Sequence, residues 1–434
     1  MTVGFVVTFF DFRNDVRRVV ECVAQDHEVI LFCQRKDREQ VQTHAPAGTE
    51  IRLIKEEGHR FSDRLTRLKY RLRRAIPAST QNFYLMEAFK IGRMQGRNKR
   101  MGQAFYDLHR LLPNRYTYDQ YLDDIRPLRQ TDVSGVDAFV CFSEIADDAF
   151  LSRLINDGLP VLTYVYSWDH PCKHTRFSVR SQNLVWNQGL ADDLHELQNV
   201  PRSNISVVGA SQFCYVHEYL TEYRQTVTDK IFDFPYVYMG CAIGIESLVA
   251  DEVDVACELA DVVARETPGL KLVVRPYPPL RNWSLYDRLY AHPAIVVDDD
   301  FRSKDRSVGQ RALMEKFIKL DQAEGFFHLG TTLGLECCFT STPSFMLDVR
   351  PDDGQAVNVY NFVHQYQNDK YLADAAPVNH ALGWEKVGQI LRRVGDPKYT
   401  ELNALVQSQN NVQSFSSFAG ALLAELKQLK QPTK

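Results

Sequence analysis

The sequence predicts an α/β protein of two domains, each built on a mostly parallel sheet with helices on both faces. Short, continuous apolar runs alternate with longer amphipathic stretches of helical spacing, which is typical of strands buried on both faces. This alternation continues to about residue 210 and starts again after residue 213. The repetition indicates two α/β domains of similar size.

The first domain contains seven apolar runs that we interpret as strands. Between the first two runs, apolar residues at Val16, Val19, Val20 and Val23 have the spacing of a helix that buries one face, over residues 16–24. The predicted strands are residues 3–10, 28–33, 50–54, 138–142, 161–166, 184–186 and 205–208.

The second domain repeats this pattern, and the predicted strand at residues 270–274 stops before Pro276 because proline cannot continue the ladder. The other predicted strands are residues 236–239, 295–297, 325–328 and 344–348, with helices at residues 251–265 and 332–339. We therefore place the first domain at residues 1–212 and the second at residues 213–410. Residues 411–434 form a third segment, an amphipathic helix that can pack back on the first domain.

Length and composition exclude several classes of protein. The chain has 434 residues, enough for two or three domains with large cores, and a net charge of -4 that gives no general affinity for nucleic acid. It contains no apolar run of the roughly 18 residues that a membrane helix needs and no signal-peptide pattern. Its nine cysteines form no CxxC pair. We expect reduced thiols and a cytoplasmic protein rather than a secreted or zinc-ribbon fold.

One segment differs from the rest of the chain in charge. Between residues 60 and 100 there are twelve basic and two acidic residues. Leucine and tyrosine side chains alternate with the basic residues at the centre of this patch, which are Arg67, Lys69, Arg71, Arg73 and Arg74. A basic amphipathic segment can lie on an anionic membrane surface or bind an anionic acceptor, and it can also be a solvated helix face without a partner.

Polar residues that follow predicted strands of the first domain are candidates for acid–base chemistry. Ligands of open α/β sheets bind at the carboxyl ends of the strands. Asp11 follows the first strand, Glu144 follows the fourth, and Asp169 and His170 follow the fifth. No GxGxxG fingerprint follows the first strand, which argues against a nicotinamide or flavin enzyme. Asp169 or His170 could be the general base for a hydroxyl nucleophile, or Asp169 could simply cap a turn.

Two strand ends of the second domain predict an anion site. Arg275 ends one strand and offers a guanidinium group to a phosphate or carboxylate. Another strand ends at His328 and is followed by a turn and a predicted helix, whose small and hydroxyl residues are Gly330, Thr331, Thr332 and Gly334. A diphosphate can approach such a helix N-terminus closely. Glu336, one turn later, could accept ribose hydroxyls, or Thr332 and Glu336 could only cap the helix.

These motifs together resemble the bacterial GT-B glycosyltransferases of capsule, lipopolysaccharide and surface-polysaccharide synthesis. The resemblance covers residues 135–350. It rests on Ser167-Trp168-Asp169, Leu184-Val185-Trp186-Asn187, Asp193-Leu194-His195, Val207-Val208-Gly209-Ala210, Arg275-Pro276-Tyr277-Pro278 and Thr331-Thr332 followed by Glu336. Two positions depart from the pattern: Tyr277 stands where the group often has histidine, and Cys214 stands where it often has aspartate.

The resemblance implies two facing Rossmann-like domains with a cleft between them. The second domain would bind a nucleotide sugar, with the diphosphate on Thr331, Thr332 and Arg275, the ribose on Glu336, and Tyr277 nearby. The first domain would bind a glycan or lipid-linked acceptor. It implies metal-independent transfer without a cofactor, in the cytoplasm or at the inner face of the cytoplasmic membrane. We expect the run at residues 298–300 to be a solvated turn rather than a cation site.

Several reactions fit these residues. In an inverting transferase, Asp169 or His170 would be the base, with Asp11 and Glu144 as reserves, whereas a retaining enzyme would need no separate base. A nucleotide-sugar epimerase would bind the same donor without an acceptor, and a polyol-phosphate transferase would use a nucleotide-linked alcohol. A catalytically silent, nucleotide-binding scaffold subunit is the alternative outside enzymes, suggested by the departures at Tyr277 and Cys214.

Overall fold

The structure is a computed structural model of the 434-residue chain. It describes residues 1–7, 10, 14–55, 60–61, 118–126, 131–142, 148–172, 177–227, 229–244, 246–278, 280, 282–300, 310–349 and 367–429. The chain divides into two compact units. The first comprises Met1–Cys214 together with Asn411–Lys434, and the second comprises Tyr215–Asn410. Each is described by itself below.

The first unit, as far as the structure describes it, is built on a seven-stranded parallel sheet. The strands are β1 (Thr2–Val6), β2 (Glu28–Cys33), β3 (Glu50–Leu53), β6 (Ala138–Phe142), β7 (Val161–Tyr164), β8 (Gln182–Val185) and β9 (Ile205–Val207), with β4 (Arg60–Phe61) and β5 (Ile125–Arg126) forming a separate antiparallel pair. Across the sheet the order is β3-β2-β1-β6-β7-β8-β9. The described helices are α1 (Asn14–Ala24), α2 (Arg38–His44), α3 (Tyr118–Asp124), α4 (Asp148–Asn156), α5 (Gln188–Gln198) and α6 (Phe213–Glu218), whose first two residues belong to this unit.

The apolar periodicity of the sequence explains how these helices pack. The four valines of α1 at positions 16, 19, 20 and 23 are fully buried, as their spacing predicts. Helix α5 begins where the Asn187 side chain accepts the Leu190 N–H at 2.9 Å, and it ends at Asn199, whose φ of 59° is left-handed. Both ends therefore follow the usual chemistry of helix caps.

The second unit is built on a six-stranded sheet, all of it parallel in its described residues. The strands are β10 (Tyr236–Gly240), β11 (Lys271–Arg275), β12 (Ile295–Val297), β13 (Phe326–His328), β14 (Ser344–Asp348) and β15 (His380–Leu382). They lie in the order β12-β11-β10-β13-β14-β15. The described helices are α7 (Glu246–Glu266), α8 (Asp287–Ala291), α9 (Gln310–Asp321), α10 (Thr332–Cys337), α11 (Gln367–Ala375), α12 (Gly383–Leu391) and α13 (Glu401–Gln409).

The last helix, α14 (Phe415–Leu429), packs within the first unit. The ring of its buried residue Phe418 packs edge-on against the ring of Tyr164, with 5.5 Å between the ring centres. The Arg18 guanidinium lies over the ring of buried Phe415, 4.6 Å from its centre. The Glu425 carboxylate accepts the Ser206 hydroxyl at 2.8 Å. The C-terminal segment thus completes the core of the unit that begins the chain.

The predicted fold class is confirmed, with two parallel sheets covered by helices. Individual elements differ at their ends: the first strand stops at Val6, and α10 stops at Cys337, two residues before its predicted end. β15 was not predicted, since three residues with one buried side chain, Ala381, give no readable pattern. No described helix is long and apolar enough to cross a membrane.

Candidate functional site

The strand order of the second sheet identifies its topological switch point. From β10 the chain runs outward through β11 and β12 and then returns to place β13 on the opposite side of β10. The switch point therefore lies between β10 and β13, and ligands of doubly wound sheets bind there, outside the carboxyl ends of the strands. Gly240 pairs in register with Arg275 on one side and with His328 on the other. Arg275 therefore ends one of the two strands that flank β10, and the predicted donor turn at residues 330–332 follows the other.

The turn after β13 is shaped by His328. Its imidazole Nδ1 accepts the backbone N–H of Gly330 at 3.0 Å and that of Thr331 at 3.4 Å. Thr331 is the N-cap of α10, and its hydroxyl oxygen accepts the Leu333 N–H at 3.3 Å. Two backbone donors of the predicted anion site are therefore engaged within the turn. Thr331 and Thr332 themselves are partly exposed.

Gly330 is required in this turn for two reasons. Its φ of 85° lies in the left-handed region that favours glycine. A Cβ at this position would also stand 2.8 Å from a carboxylate oxygen of Asp369, which is 1% exposed and lies in the first turn of α11. The buried carboxylate of Asp369 therefore lies directly against the predicted donor loop, and no pattern in the sequence pointed to it.

The loop after β11 is held by tyrosine contacts. The Tyr277 N–H donates to the Tyr286 hydroxyl at 3.1 Å, and the Tyr277 ring lies 3.1 Å from where a Gly244 Cβ would stand. Tyr277 therefore covers the loop that follows β10. Arg275, at the end of β11, is half-buried. The histidine of the family pattern is thus replaced by an aromatic side chain that packs against the neighbouring loop.

The loop after β10 is held by a buried carboxylate. Glu252 of α7 is fully buried and accepts the N–H groups of Ala242 and Ile243 at 2.8 and 3.3 Å. Burial raises the pKa of Glu252 to about 7, although these hydrogen bonds lower it. This residue was not predicted. Its signal was its spacing of three residues from Val249 and from Val255, which places a carboxylate on the apolar face of the helix.

Glu336, the predicted ribose residue, lies in a buried ion pair. Its carboxylate accepts a hydrogen bond from Lys316 Nζ of α9 at 2.7 Å, and the two residues are 7% and 6% exposed. Lys316 also lies 4.2 Å from the centre of the Phe317 ring. Glu336 is at the end of the short helix α10, so the ion pair fixes the position of its carboxylate relative to the turn that starts the helix.

The acidic run at residues 298–300 is a solvated turn only in part, since Asp299 and Asp300 are exposed but Asp298 is buried. Asp298 is 4% exposed and pairs with Lys319 Nζ at 2.7 Å, and the same amine contacts Asp300 at 2.5 Å. Asp299 accepts the Tyr290 hydroxyl at 2.9 Å. The prediction failed for Asp298 because its partner lysine is distant in sequence. Among the side chains that the structure describes, no group of three or more His, Cys, Asp and Glu residues could hold a metal ion.

The predicted base residues of the first unit differ in accessibility. Asp169 is half-exposed and accepts the Ser167 hydroxyl at 2.6 Å. His170 is 1% exposed and begins a 3-10 turn over His170–Cys172. Asp169 is therefore the more accessible of the two. Asp11, Glu144 and the basic patch of Arg67, Lys69, Arg71, Arg73 and Arg74 lie outside the described residues.

A buried network of hydrogen bonds joins Tyr166, which follows β7, to α1 and to Ser211, which follows β9. Asp15, 4% exposed in the first turn of α1, accepts the hydroxyls of Tyr166 at 3.0 Å and Ser211 at 2.6 Å. The Ser211 N–H donates in turn to the Tyr164 hydroxyl at 2.9 Å. The sequence did not single out Asp15, because the helix dipole alone already accounts for an acidic residue in the first turn of a helix.

Most of the cysteines whose side chains the structure describes are buried, and none of these eight forms a disulfide bond. Burial raises the pKa of Cys141 to about 12 and that of Cys33 to about 11, so neither is an activated nucleophile.

Comparison with solved structures shows the fold over nearly the whole chain. S. aureus MnaA in its UDP co-structure matches with a TM-score of 0.53 and 8% identity, covering 98% of this chain and 96% of that one. A putative UDP-N-acetylglucosamine 2-epimerase of Listeria monocytogenes matches with a TM-score of 0.53 and 10% identity, covering 100% of this chain and 98% of that one. The UDP-GlcNAc 2-epimerase of Neisseria meningitidis, bound to UDP-GlcNAc, matches with a TM-score of 0.50 and 11% identity, covering 99% of each chain.

These likenesses place the chain in a structural class. No protein-family model matches the chain, and no curated protein matches it in sequence. At 8–11% identity the solved structures show the fold alone. The fold is GT-B, which the resemblance to bacterial surface-polysaccharide enzymes predicted, and the solved structures described above that share it include UDP-GlcNAc 2-epimerases.

Proposed function

We propose that the protein is a nucleotide-sugar enzyme whose donor binds at the switch point of the second sheet. The observation that carries this proposal is the position of the predicted donor residues: Arg275 ends one of the two strands that flank β10, and the turn at residues 330–332 follows the other. Arg275 supplies a positive charge and the threonines supply hydroxyl donors for a diphosphate. Solved structures with this fold bind UDP and UDP-GlcNAc, which supports the same class of ligand here.

The reaction that we propose is glycosyl transfer to a hydroxyl group of a glycan or glycolipid acceptor in surface-polysaccharide synthesis. The acceptor oxygen attacks the anomeric carbon, the bond from that carbon to the diphosphate oxygen breaks, and a base takes the hydroxyl proton. We assign the base to Asp169 rather than to His170, because His170 is 1% exposed. Arg275 and the turn hydroxyls would stabilise the leaving diphosphate without a metal ion.

The basic patch would bind the acceptor or the membrane in this proposal. Its residues at positions 67–74 would hold an anionic, lipid-linked acceptor or bring the enzyme to the cytoplasmic membrane surface. This would make the protein a peripheral enzyme at the inner face of that membrane.

A second candidate reaction is 2-epimerisation of the nucleotide sugar. Two of the three solved structures described above are of proteins called UDP-GlcNAc 2-epimerases. An epimerase would use the same donor residues and would need neither an acceptor nor the basic patch. The third candidate is a silent scaffold subunit that binds nucleotide and turns nothing over.

Product analysis separates these functions. The full-length protein is incubated with each of a panel of nucleotide sugars, with and without a lipid-linked acceptor extract, in buffer containing EDTA. We expect nucleoside diphosphate release that depends on the extract and falls at least about 100-fold in Asp169→Asn, the range expected for loss of a general base. Asn187→Ser, a conservative change at a helix cap of the first unit, serves as the control and should keep its rate.

The other outcomes are distinct. An isomerised sugar without net nucleotide release would identify an epimerase, and release of a nucleoside monophosphate would identify a polyol-phosphate transferase. Binding without any turnover across the panel would contradict the enzyme proposal and support the scaffold subunit.

A further inference from the structure

His328 makes an unusual set of contacts at the candidate donor site. It is the last residue of β13 and is 2% exposed. Its Nδ1 atom accepts two backbone N–H groups, those of Gly330 and Thr331, at 3.0 and 3.4 Å. Its Nε2 atom has no hydrogen-bond partner among the described residues and faces Gly334, where a Cβ would stand 2.4 Å away. One side chain therefore contacts both the turn and the helix that follows it.

These contacts define the charge and the tautomer of the imidazole. A ring nitrogen that accepts two N–H groups has no proton, so the remaining proton is on Nε2. Burial lowers the pKa of His328 to about 3, and the ring is therefore neutral at physiological pH. A protonated ring would turn its Nδ1 from an acceptor into a donor that faces two other donors. The observed turn thus requires the neutral form.

We propose that His328 is a positioning residue, which holds the Gly330–Thr331 turn in the geometry that binds the donor's diphosphate. The inference rests on the proposed function and adds a residue to it. Because both amides are committed to His328, the diphosphate must be bound by other groups of the turn. The Thr331 and Thr332 hydroxyls and the Thr332 N–H are the donors that the turn presents, together with the guanidinium of Arg275. Gly334 is part of the same arrangement, since any larger residue would displace the ring.

Three variants of the full-length protein test the role of the Nδ1 acceptor. His328→Asn keeps an acceptor one bond from Cγ, and His328→Leu removes it at similar volume. His292→Leu is the matched control. His292 also accepts a backbone N–H two residues ahead, from Ala294 at 3.3 Å, but it precedes β12 at the opposite end of the strands. The probe is UDP, followed by the other nucleoside diphosphates if UDP does not bind, with affinity measured by calorimetry.

We expect His328→Leu to weaken nucleotide binding at least tenfold, and His328→Asn and His292→Leu to remain within about threefold of the wild type. A folded His328→Leu protein with wild-type affinity would overturn the proposal, as would an Asn variant as weak as the Leu variant. If His328→Leu does not fold, the comparison of the Asn variant with His328→Gln decides, since glutamine places its amide one bond too far from the turn. Equal affinity of these two variants would likewise overturn the proposal.

A second measurement needs no nucleotide and separates this inference from the proposed function. Imidazole nitrogen spectra of histidine-labelled protein should show one histidine with its proton on Nε2 and no titration between pH 5 and 8, and this signal should be absent from His328→Asn. A titrating ring, or a proton on Nδ1, would overturn the inference even if nucleotides bind. Failure of every nucleotide to bind, with this signal present, would contradict the proposed function and the donor role of the turn, and leave its contact to His328 established.

Discussion

Lys316→Met is expected to lower the free energy of unfolding by about 3–5 kcal/mol, because it leaves the Glu336 carboxylate buried without its partner. Both residues are buried, and Lys316 Nζ lies 2.7 Å from a Glu336 carboxylate oxygen. Unpairing a buried charge is among the costliest single changes in a protein. The midpoint and slope of urea unfolding, followed by far-ultraviolet circular dichroism, measure the effect.

Two controls separate charge from packing. The double variant Lys316→Met/Glu336→Leu removes both charges and should recover most of the stability, since apolar pairs can replace buried ion pairs. Arg288→Met breaks an exposed ion pair with Asp254 and should change stability by less than about 1 kcal/mol. A Lys316→Met protein as stable as the Arg288→Met protein would contradict the buried ion pair.

The double variant also tests the role of Glu336. If its carboxylate binds the ribose of the donor, the double variant should be stable but should bind UDP at least tenfold more weakly than the wild type. Stability and binding are then separated in one protein.

Acidification is expected to destabilise the wild-type protein more than His328→Asn. The pKa of His328 is about 3 in the folded protein and about 6.5 in the unfolded chain. Below pH 6.5 the unfolded state therefore binds a proton that the folded state does not. The contribution of His328 to stability is complete above pH 6.5 and is lost as the pH falls towards 3, by about 1.4 kcal/mol per pH unit.

The measurement is the difference in unfolding free energy between the wild type and His328→Asn at pH 7.5, 6, 5 and 4.5. The difference is needed because Glu252 acts in the opposite direction: its raised pKa of about 7 favours the folded state as the pH falls. We expect the wild type to lose about 2 kcal/mol relative to the variant between pH 7.5 and 5. A difference independent of pH would show that His328 is not buried in its neutral form.

The framework of the fold was predictable because it follows from local patterns. The valines of α1 and the continuous apolar strands are buried where their spacing places them. The strand order, and with it the switch point, was not predicted, because pairing between β10 and β13 joins segments about 90 residues apart. β15 was missed for a different reason, since its three residues are too short to show a period.

The candidate site was predictable only in part. Residue types at strand ends pointed to Arg275, Gly330 and Thr331, because loops at those ends bind ligands in open sheets. The groups that hold those loops were not visible, since Lys316 contacts Glu336 and Glu252 contacts the β10 loop only after the chain has folded. Asp298 was wrongly predicted to be solvated for the same reason: its partner Lys319 belongs to α9, 21 residues later in the chain.

Calorimetric titration with nucleoside diphosphates tests whether the switch point of the second sheet is a donor site. Full-length wild type, Arg275→Ala, Thr332→Ala and Asp169→Asn are titrated with UDP first and then with the remaining diphosphates. We expect one diphosphate to bind wild type and Asp169→Asn at a single site with equal affinity, and to bind Arg275→Ala and Thr332→Ala at least tenfold more weakly. No binding by any diphosphate, or equal binding by all four proteins, would contradict a donor site at the switch point of the second sheet.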